Sequence, residues 1–151
     1  MKTILLVDDE VDVLKTLSEI LETSGYSTVL KRDAESALSI ILEGKQIDLV
    51  ITDLRMPGMN GSELTTILRQ ILPSMPIIML TGYGSVESYL ESMSSGVFEY
   101  VNKPVQAREL RRIVKTALEW SRAKNSPTEE CACIKTAFNI SESKSETNST
   151  A

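Results

Sequence analysis

Two acidic stretches dominate the chemistry open to this chain. Asp8-Asp9-Glu10 follows an apolar run that begins at Ile4, and Asp53 closes another in Ile51-Thr52-Asp53-Leu54-Arg55-Met56-Pro57-Gly58. Two carboxylates about 5 Å apart repel by roughly 3 kcal/mol at an effective dielectric of about 20, so a cluster of them needs a cation. With only oxygen donors and no neighbouring His or Cys, that cation is magnesium (Mg²⁺) rather than zinc or copper. Mg²⁺ keeps several waters and leaves positions open for a phosphoryl group. Thr81 in Leu80-Thr81-Gly82 and Lys103 in Asn102-Lys103-Pro104 also follow apolar runs and would add a hydroxyl and an ammonium to the same rim. Carboxylate, metal, ammonium and hydroxyl together are what phosphoryl transfer demands: an in-line nucleophile, and positive charge on the equatorial oxygens. Each also has an ordinary role on its own. Asp8 to Glu10 suit a helix start, Asp53 a turn before Pro57-Gly58, and Thr81 and Lys103 a surface. Placement at one point of a fold is what would make them a site.

The elements that must position them read clearly. Five short apolar runs, Ile4 to Val7, Ser27 to Leu30, Leu49 to Ile51, Ile77 to Leu80 and Val97 to Val101, are expected to be strands. Between them apolar residues recur at helical spacing: Val11, Leu14, Leu17 and Leu21; Ala34, Ala37, Leu38 and Ile41; Leu64, Ile67, Leu68 and Ile71. Leu110, Ile113, Val114, Ala117 and Leu118 mark an amphipathic helix after the fifth strand. A helix near Ser85 to Met93 has the weakest pattern, broken by serines. Gly25, Gly44 and Gly96 stand where helices end, and Pro73 and Pro76 mark the break after the third. Strict alternation predicts an α/β fold: a doubly wound, flavodoxin-like parallel sheet of five strands in the order 2-1-3-4-5, covered by five helices. In that order strands one and three are neighbours whose crossovers run to opposite sides, and ligands bind outside their carboxyl ends. Asp8 or Asp9 would then face Asp53 across one cleft.

Composition bounds the rest. A length of 151 residues fits one domain with an appendage. Hydrophobic content of 42% and charged content of 25% are those of a self-sufficient globular core. Sixteen basic against 21 acidic residues give a net charge of -5, the wrong sign for a protein that coats nucleic acid or anionic lipid. The absence of histidine excludes a Ser-His-Asp triad, an imidazole base, a His-ligated zinc and a phosphohistidine on this chain. Cys131 and Cys133 are too few for structural zinc and are expected to be reduced thiols in a cytoplasmic protein. The four-residue apolar run at the N-terminus is too short for a signal peptide or membrane span. A domain is expected over residues 1–124. Residues 125–151, rich in Ser, Thr, Asn and Glu, read as a mostly disordered tail interrupted by an apolar island from Cys131 to Ile140.

From Lys2 to about Lys124 the chain resembles the receiver domain of two-component response regulators. The resemblance rests on Val7-Asp8-Asp9-Glu10, Asp53 to Gly58, Thr81-Gly82, Tyr100 and Lys103-Pro104, five separated motifs in family order. It implies that Asp53 accepts a phosphoryl group from a histidine kinase or histidine phosphotransfer protein. Asp9 would bind Mg²⁺ directly and Asp8 partly through water, with the Arg55 backbone carbonyl as a further ligand. Lys103 and Thr81 would contact phosphoryl oxygens, and Tyr100 would be the switch aromatic. It also implies a cis Lys103-Pro104 bond. Arg55 and Tyr83, two residues after Asp53 and Thr81, stand at positions that tune phosphate loss.

The expected mechanism is a population shift. Phosphorylation draws Thr81 inward, Tyr100 fills the vacated space, and the surface of the fourth helix, fifth strand and fifth helix is remodelled for a downstream protein target. The chain would then be no enzyme beyond its own phosphorylation and dephosphorylation, a monomer or phosphorylation-dependent dimer, without direct DNA binding or membrane contact. Two alternatives use a similar sheet. An aspartate-nucleophile phosphohydrolase places its nucleophile and an acid-base Asp two apart after strand one, where position 10 is Glu. A non-phosphorylated pseudo-receiver or flavodoxin-like binding module would not need Asp9, Asp53, Thr81 and Lys103 intact, and Asp8-Asp9-Glu10 would repel a flavin phosphate.

Overall fold

A computed structural model describes residues 1–82 and 97–125. The elements are β1 (Thr3–Val7), α1 (Val11–Thr23), β2 (Ser27–Lys31), α2 (Ala34–Leu42), β3 (Leu49–Asp53), α3 (Gly61–Ile71), β4 (Ile77–Thr81), β5 (Glu99–Asn102) and α4 (Ala107–Asn125). The strands form one sheet in the order β2-β1-β3-β4-β5, every pair parallel, as the alternation predicts. The helix expected near Ser85 to Met93 and the tail beyond Asn125 lie outside the described residues. Strand five begins later than its apolar run indicates. Val97 is buried ahead of the ladder, Phe98 donates its N–H to the Ile77 carbonyl, and paired residues run from Glu99.

Alternation along the central strands feeds two cores. Ile4, Leu6, Ile51, Ile78 and Leu80 face α1 and α4, meeting Leu14, Leu17, Leu21, Leu110, Ile113 and Val114. Leu5, Val7, Val50 and Ile77 face α2 and α3, meeting Ala34, Ala37, Ile41, Leu64 and Leu68. Apolar residues on both sides are why β1, β3 and β4 read as unbroken hydrophobic runs. Phe98 and Trp120, with ring centroids 5.5 Å apart at 53°, pack β5 against α4.

Local chemistry sets the helix ends. Asp33 caps α2 by accepting the Ser36 N–H at 2.7 Å. Asn60 and Glu63 cap α3 reciprocally, each side chain accepting the other's backbone N–H at 2.9 Å. Gly25 and Gly44 leave α1 and α2 at φ of +97° and +99°, a region costly for residues with a Cβ. Arg69 donates to the Pro73 and Met75 carbonyls, closing the turn after α3.

The first residue of α3 sits against the end of β3. Gly61 donates its N–H to the Leu54 carbonyl at 2.9 Å. A Cβ on Gly61 would collide with the Asp53 carbonyl oxygen and come within 2.8 Å of Met79 Sδ. Neither neighbour is a free side-chain tip that can swing aside at little cost. Gly61→Ala is therefore expected to lower unfolding free energy by about 1–3 kcal/mol, the usual cost of overpacking. Urea denaturation measures it; an unchanged midpoint would contradict the close approach.

Candidate functional site

Parallel pairing carries the ends of β1, β3, β4 and β5 to one rim. Val7 pairs with Thr52, Asp53 with Leu80, and Thr81 with Asn102. The residues that close these strands, or follow them directly, are Asp8, Asp53, Thr81 and Lys103. This is the switch point of the fold, between crossovers on opposite faces. One carboxylate oxygen from each of Asp8, Asp9 and Asp53 lies within 4.8 Å of the other two. Asp8 and Asp53 are buried, at 1% and 7% exposure, while Asp9 is partly open.

Lys103 holds the group together. Its Nζ lies 2.8 Å from Asp8 Oδ2, 3.4 Å from Asp53 Oδ1 and 3.4 Å from Glu10 Oε1. The lysine side chain is 17% exposed, so these contacts are screened less than surface pairs. Its backbone N–H donates to the Thr81 carbonyl at 2.6 Å, and its peptide bond to Pro104 is cis. Asp8 is fixed further by accepting the Glu10 N–H on Oδ1 at 2.9 Å. Glu10 occupies the N-cap position of α1 but makes no side-chain cap there. The acidic run is thus turned toward the lysine instead of being used to cap the helix.

Electrostatics follows from this packing. Burial pushes the Asp53 carboxyl up, the neighbouring Asp8 charge adds to it, and Lys103 offsets only part, leaving a pKa of about 6. Burial also raises Asp8, against the hydrogen bond and charge of Lys103. Burial disfavours the Lys103 ammonium too, but its hydrogen bond to Asp8 and the charges of Asp53, Asp8 and Glu10 outweigh that and hold it above the ordinary lysine value. Three acidic oxygens against one ammonium leave the pocket negative. A hard dication with oxygen preference fits that donor set, and Asp8, Asp9 and Asp53 are the residues to hold it.

The other expected residues are placed as follows. Thr81 is buried at the end of β4, next to the strand that carries Asp53. Tyr100 is half-buried beside Leu54, Met79 and Val97. Arg55 is exposed in the segment after β3. Tyr83 lies outside the described residues. Two contributors escape the reading from sequence. Glu10 supplies the third carboxylate on Lys103, a contact that only the rim geometry creates. Gly61 and its Asn60/Glu63 cap hold α3 against the Asp53 backbone; here Asn-x-x-Glu before an apolar pattern was an available signal.

Comparison with known proteins agrees with this geometry. The sequence pattern described as "Response regulator receiver domain" matches residues 4–115. The transcriptional regulatory protein GlrR of Escherichia coli is 38% identical over 118 residues, which cover 78% of this chain and 26% of GlrR. The chain thus spans about a quarter of the length of such curated relatives. A CheY-like receiver domain from Methanospirillum hungatei superposes with a TM-score of 0.79 at 34% identity, covering 83% of this chain and 99% of that one. The beryllofluoride-activated NtrC4 receiver domain dimer gives 0.76 at 29% identity, covering 80% and 99%.

The fold is thus the CheY-like, flavodoxin-type doubly wound sheet. The chain belongs to the response regulator receiver domain family of two-component systems. Receiver domains of this family are phosphorylation-switch modules that bind Mg²⁺ at an acidic pocket and interact with histidine kinases. Among the described residues no helix is long and apolar enough to cross a membrane.

The raised Asp53 value makes a pH prediction. An ordinary Asp ionises near pH 4, about 3.9 in a free chain. Between that pH and about 6 the folded chain keeps a proton on Asp53 that the unfolded chain has released. Stability therefore falls as pH rises through this window, and above it the ionised carboxylate costs on the order of 2–3 kcal/mol. Metal-free Asp53→Asn is expected to melt about 5 °C or more above wild type at pH 7.5 and much closer to it near pH 4. Millimolar Mg²⁺ should raise the wild-type melting temperature at pH 7.5 more than the variant's. Calorimetry at the two pH values decides; equal melting of both proteins in metal-free buffer at pH 7.5 would refute the assigned strain.

Proposed function

We propose that Asp53 is the phosphoacceptor of a two-component phosphorelay. A carboxylate oxygen of Asp53 attacks the phosphorus of a phosphohistidine on a partner kinase or histidine phosphotransfer protein. An O–P bond forms as the P–N bond breaks, and the electron pair returns to the donor's imidazole, which takes up a proton. The observation that carries this reading is the convergence of Asp8, Asp9 and Asp53 oxygens within 4.8 Å, with the Lys103 ammonium against two of those carboxylates. Asp8, Asp9, Asp53 and the Arg55 main-chain carbonyl would hold Mg²⁺, which when bound supplies positive charge to the phosphoryl oxygens. Lys103 contributes the remaining charge by moving from a carboxylate to a phosphoryl oxygen. Thr81 donates its hydroxyl to another oxygen.

A donor from outside fits a chain without histidine. Beside Lys103 a cavity of about 450 Å³ opens between α1 and the segment after β5, lined largely by Val13, Leu17, Leu80, Pro104 and Val105. It offers a protein donor an apolar shelf at the edge of the acidic pocket. Output passes through the packing of Tyr100, which responds to where Thr81 lies, and on to the face that includes β5 and α4.

Incubation with Mg²⁺ and acetyl phosphate, followed by intact mass measurement, is expected to give one phosphoryl adduct per chain. Asp53→Asn should give none, and chelation of Mg²⁺ should abolish the adduct in wild type. Steady turnover of a phosphate monoester would instead mark a hydrolase. Tyr100→Ala is expected to keep the adduct while weakening pull-down of downstream partners by the phosphorylated protein; loss of the adduct in that variant would remove Tyr100 from the output path.

A further inference from the structure

A second cavity, of about 340 Å³, opens at the end of the sheet away from the acidic pocket. Ile47, Ile71, Leu72 and Met75 give it an apolar lining, and Asp48 and Ser121 add polar groups. Ile47 and Asp48 lead into β3, Leu72 and Met75 lead into β4, and Ser121 comes from α4. Ser121 Oγ lies 3.4 Å from the Ser74 carbonyl oxygen, so the last helix meets this rim. Ile71 stays 42% exposed beside the buried Ile47 and Met75, which forgoes the gain of covering a large apolar side chain. Asp48 accepts the Thr3 N–H on Oδ2 at 2.8 Å, while its Oδ1 meets the half-exposed Lys2 ammonium at 3.9 Å. Phosphoryl transfer at Asp53 uses none of these groups.

The chain carries a segment of matching character close by. α4 ends at Asn125, about one turn and about 6 Å beyond Ser121. Pro127 disfavours helix at Ser126, so α4 does not dictate the path that follows. From Asn125 the chain can cover up to about 20 Å before Cys131. Residues 126–130 and 141–151 offer no large apolar side chain, whereas the island from Cys131 to Ile140 brings Ile134, Phe138 and Ile140. Cys131, Ile134 and Phe138 are spaced by three and four, which sets them on one side of a helical segment, with Cys133 on the other. Lys135 is the island's one charged residue, and Asp48 is the one charged residue lining the cavity.

We infer that residues 131–140 fold back into this cavity, with Ile134 and Phe138 against Ile71 and Met75 and Lys135 beside Asp48. The tether favours this occupant over a free one. A short linker holds the island at an effective concentration of about 1 mM, so an intrinsic dissociation constant of about 0.1 mM keeps it docked about nine-tenths of the time. A second copy or another protein has to reach that concentration or bind correspondingly more tightly. The docked island would clasp the end of α4 to the amino ends of β3 and β4. This inference does not depend on the chemistry assigned to Asp53.

The two thiols report on it, because Cys131 lies on the docking side and Cys133 does not. The full chain is treated with iodoacetamide, and alkylation of each cysteine is followed by peptide mass spectrometry. Cys131 in the wild type is expected to react about tenfold more slowly than Cys131 in Ile134→Ser/Phe138→Ser, with Cys133 changing much less. Ile71→Asp alters the cavity at an already exposed position and should release Cys131 to a similar degree while its circular dichroism stays that of wild type. Protection should be the same across about a hundredfold range of protein concentration, as an intramolecular contact requires. Equal Cys131 rates in the wild type and the island variant would overturn the inference. So would protection that survives Ile71→Asp, or protection that grows with concentration and so marks a second copy as the occupant. Should Ile71→Asp unfold, the island variant and the concentration series still decide, since neither alters the domain.

Discussion

Repulsion among buried carboxylates is the constraint around which this molecule is arranged. Asp8, Asp9 and Asp53 come from the ends of neighbouring strands, and the sheet forces them together whatever their charge. Lys103, delivered from the far edge of the sheet, is the counter-charge that makes the arrangement tolerable at all. It is not enough to make it comfortable, since burial and the Asp8 charge still push the Asp53 carboxyl up to about 6. A pocket in that condition gains from a dication and changes most when one of its carboxylates is converted to an acyl phosphate. The rest of the fold, from the buried central strands β1, β3 and β4 to the capped start of α3, keeps these groups from moving apart.

The same geometry explains why the site is spread so widely along the chain. A doubly wound sheet brings every strand's carboxyl end to one side, so residues at 8, 53, 81 and 103 become neighbours without any local sequence relationship. The lysine's backbone is tied to the carbonyl of Thr81 by the hydrogen bond from β5's end to β4's. A change in the position of one is thereby felt at the other, and Tyr100 lies on the strand between that bond and the Leu54, Met79 and Val97 cluster.

Much of this was readable in the residues. Strand order followed from alternation and from runs such as Leu49 to Ile51 that are apolar on both faces, because only a sheet covered twice buries them. That Asp8 or Asp9 would face Asp53 across one cleft followed from the same order. Contacts set by side-chain reach were not readable. Glu10 looked like the start of a helix, and its approach to Lys103 depends on where the cis-linked segment after β5 carries the ammonium. Gly61 carried no periodic signal; its need for a bare Cα comes from the nearness of the Asp53 carbonyl, a tertiary fact. β5 starts later than its apolar run indicates because Val97 is hydrophobic for the core and not for the ladder.

The Phe98–Trp120 contact has a practical side. Trp120 is the chain's single tryptophan, and it lies against the residue that leads into β5. The indole is therefore a built-in optical probe at the junction of strand and helix. Its emission monitors that junction alone, without labels and without interference from a second fluorophore of its kind, so rearrangement of this face and events confined to the distant α2–α3 side give separable spectra.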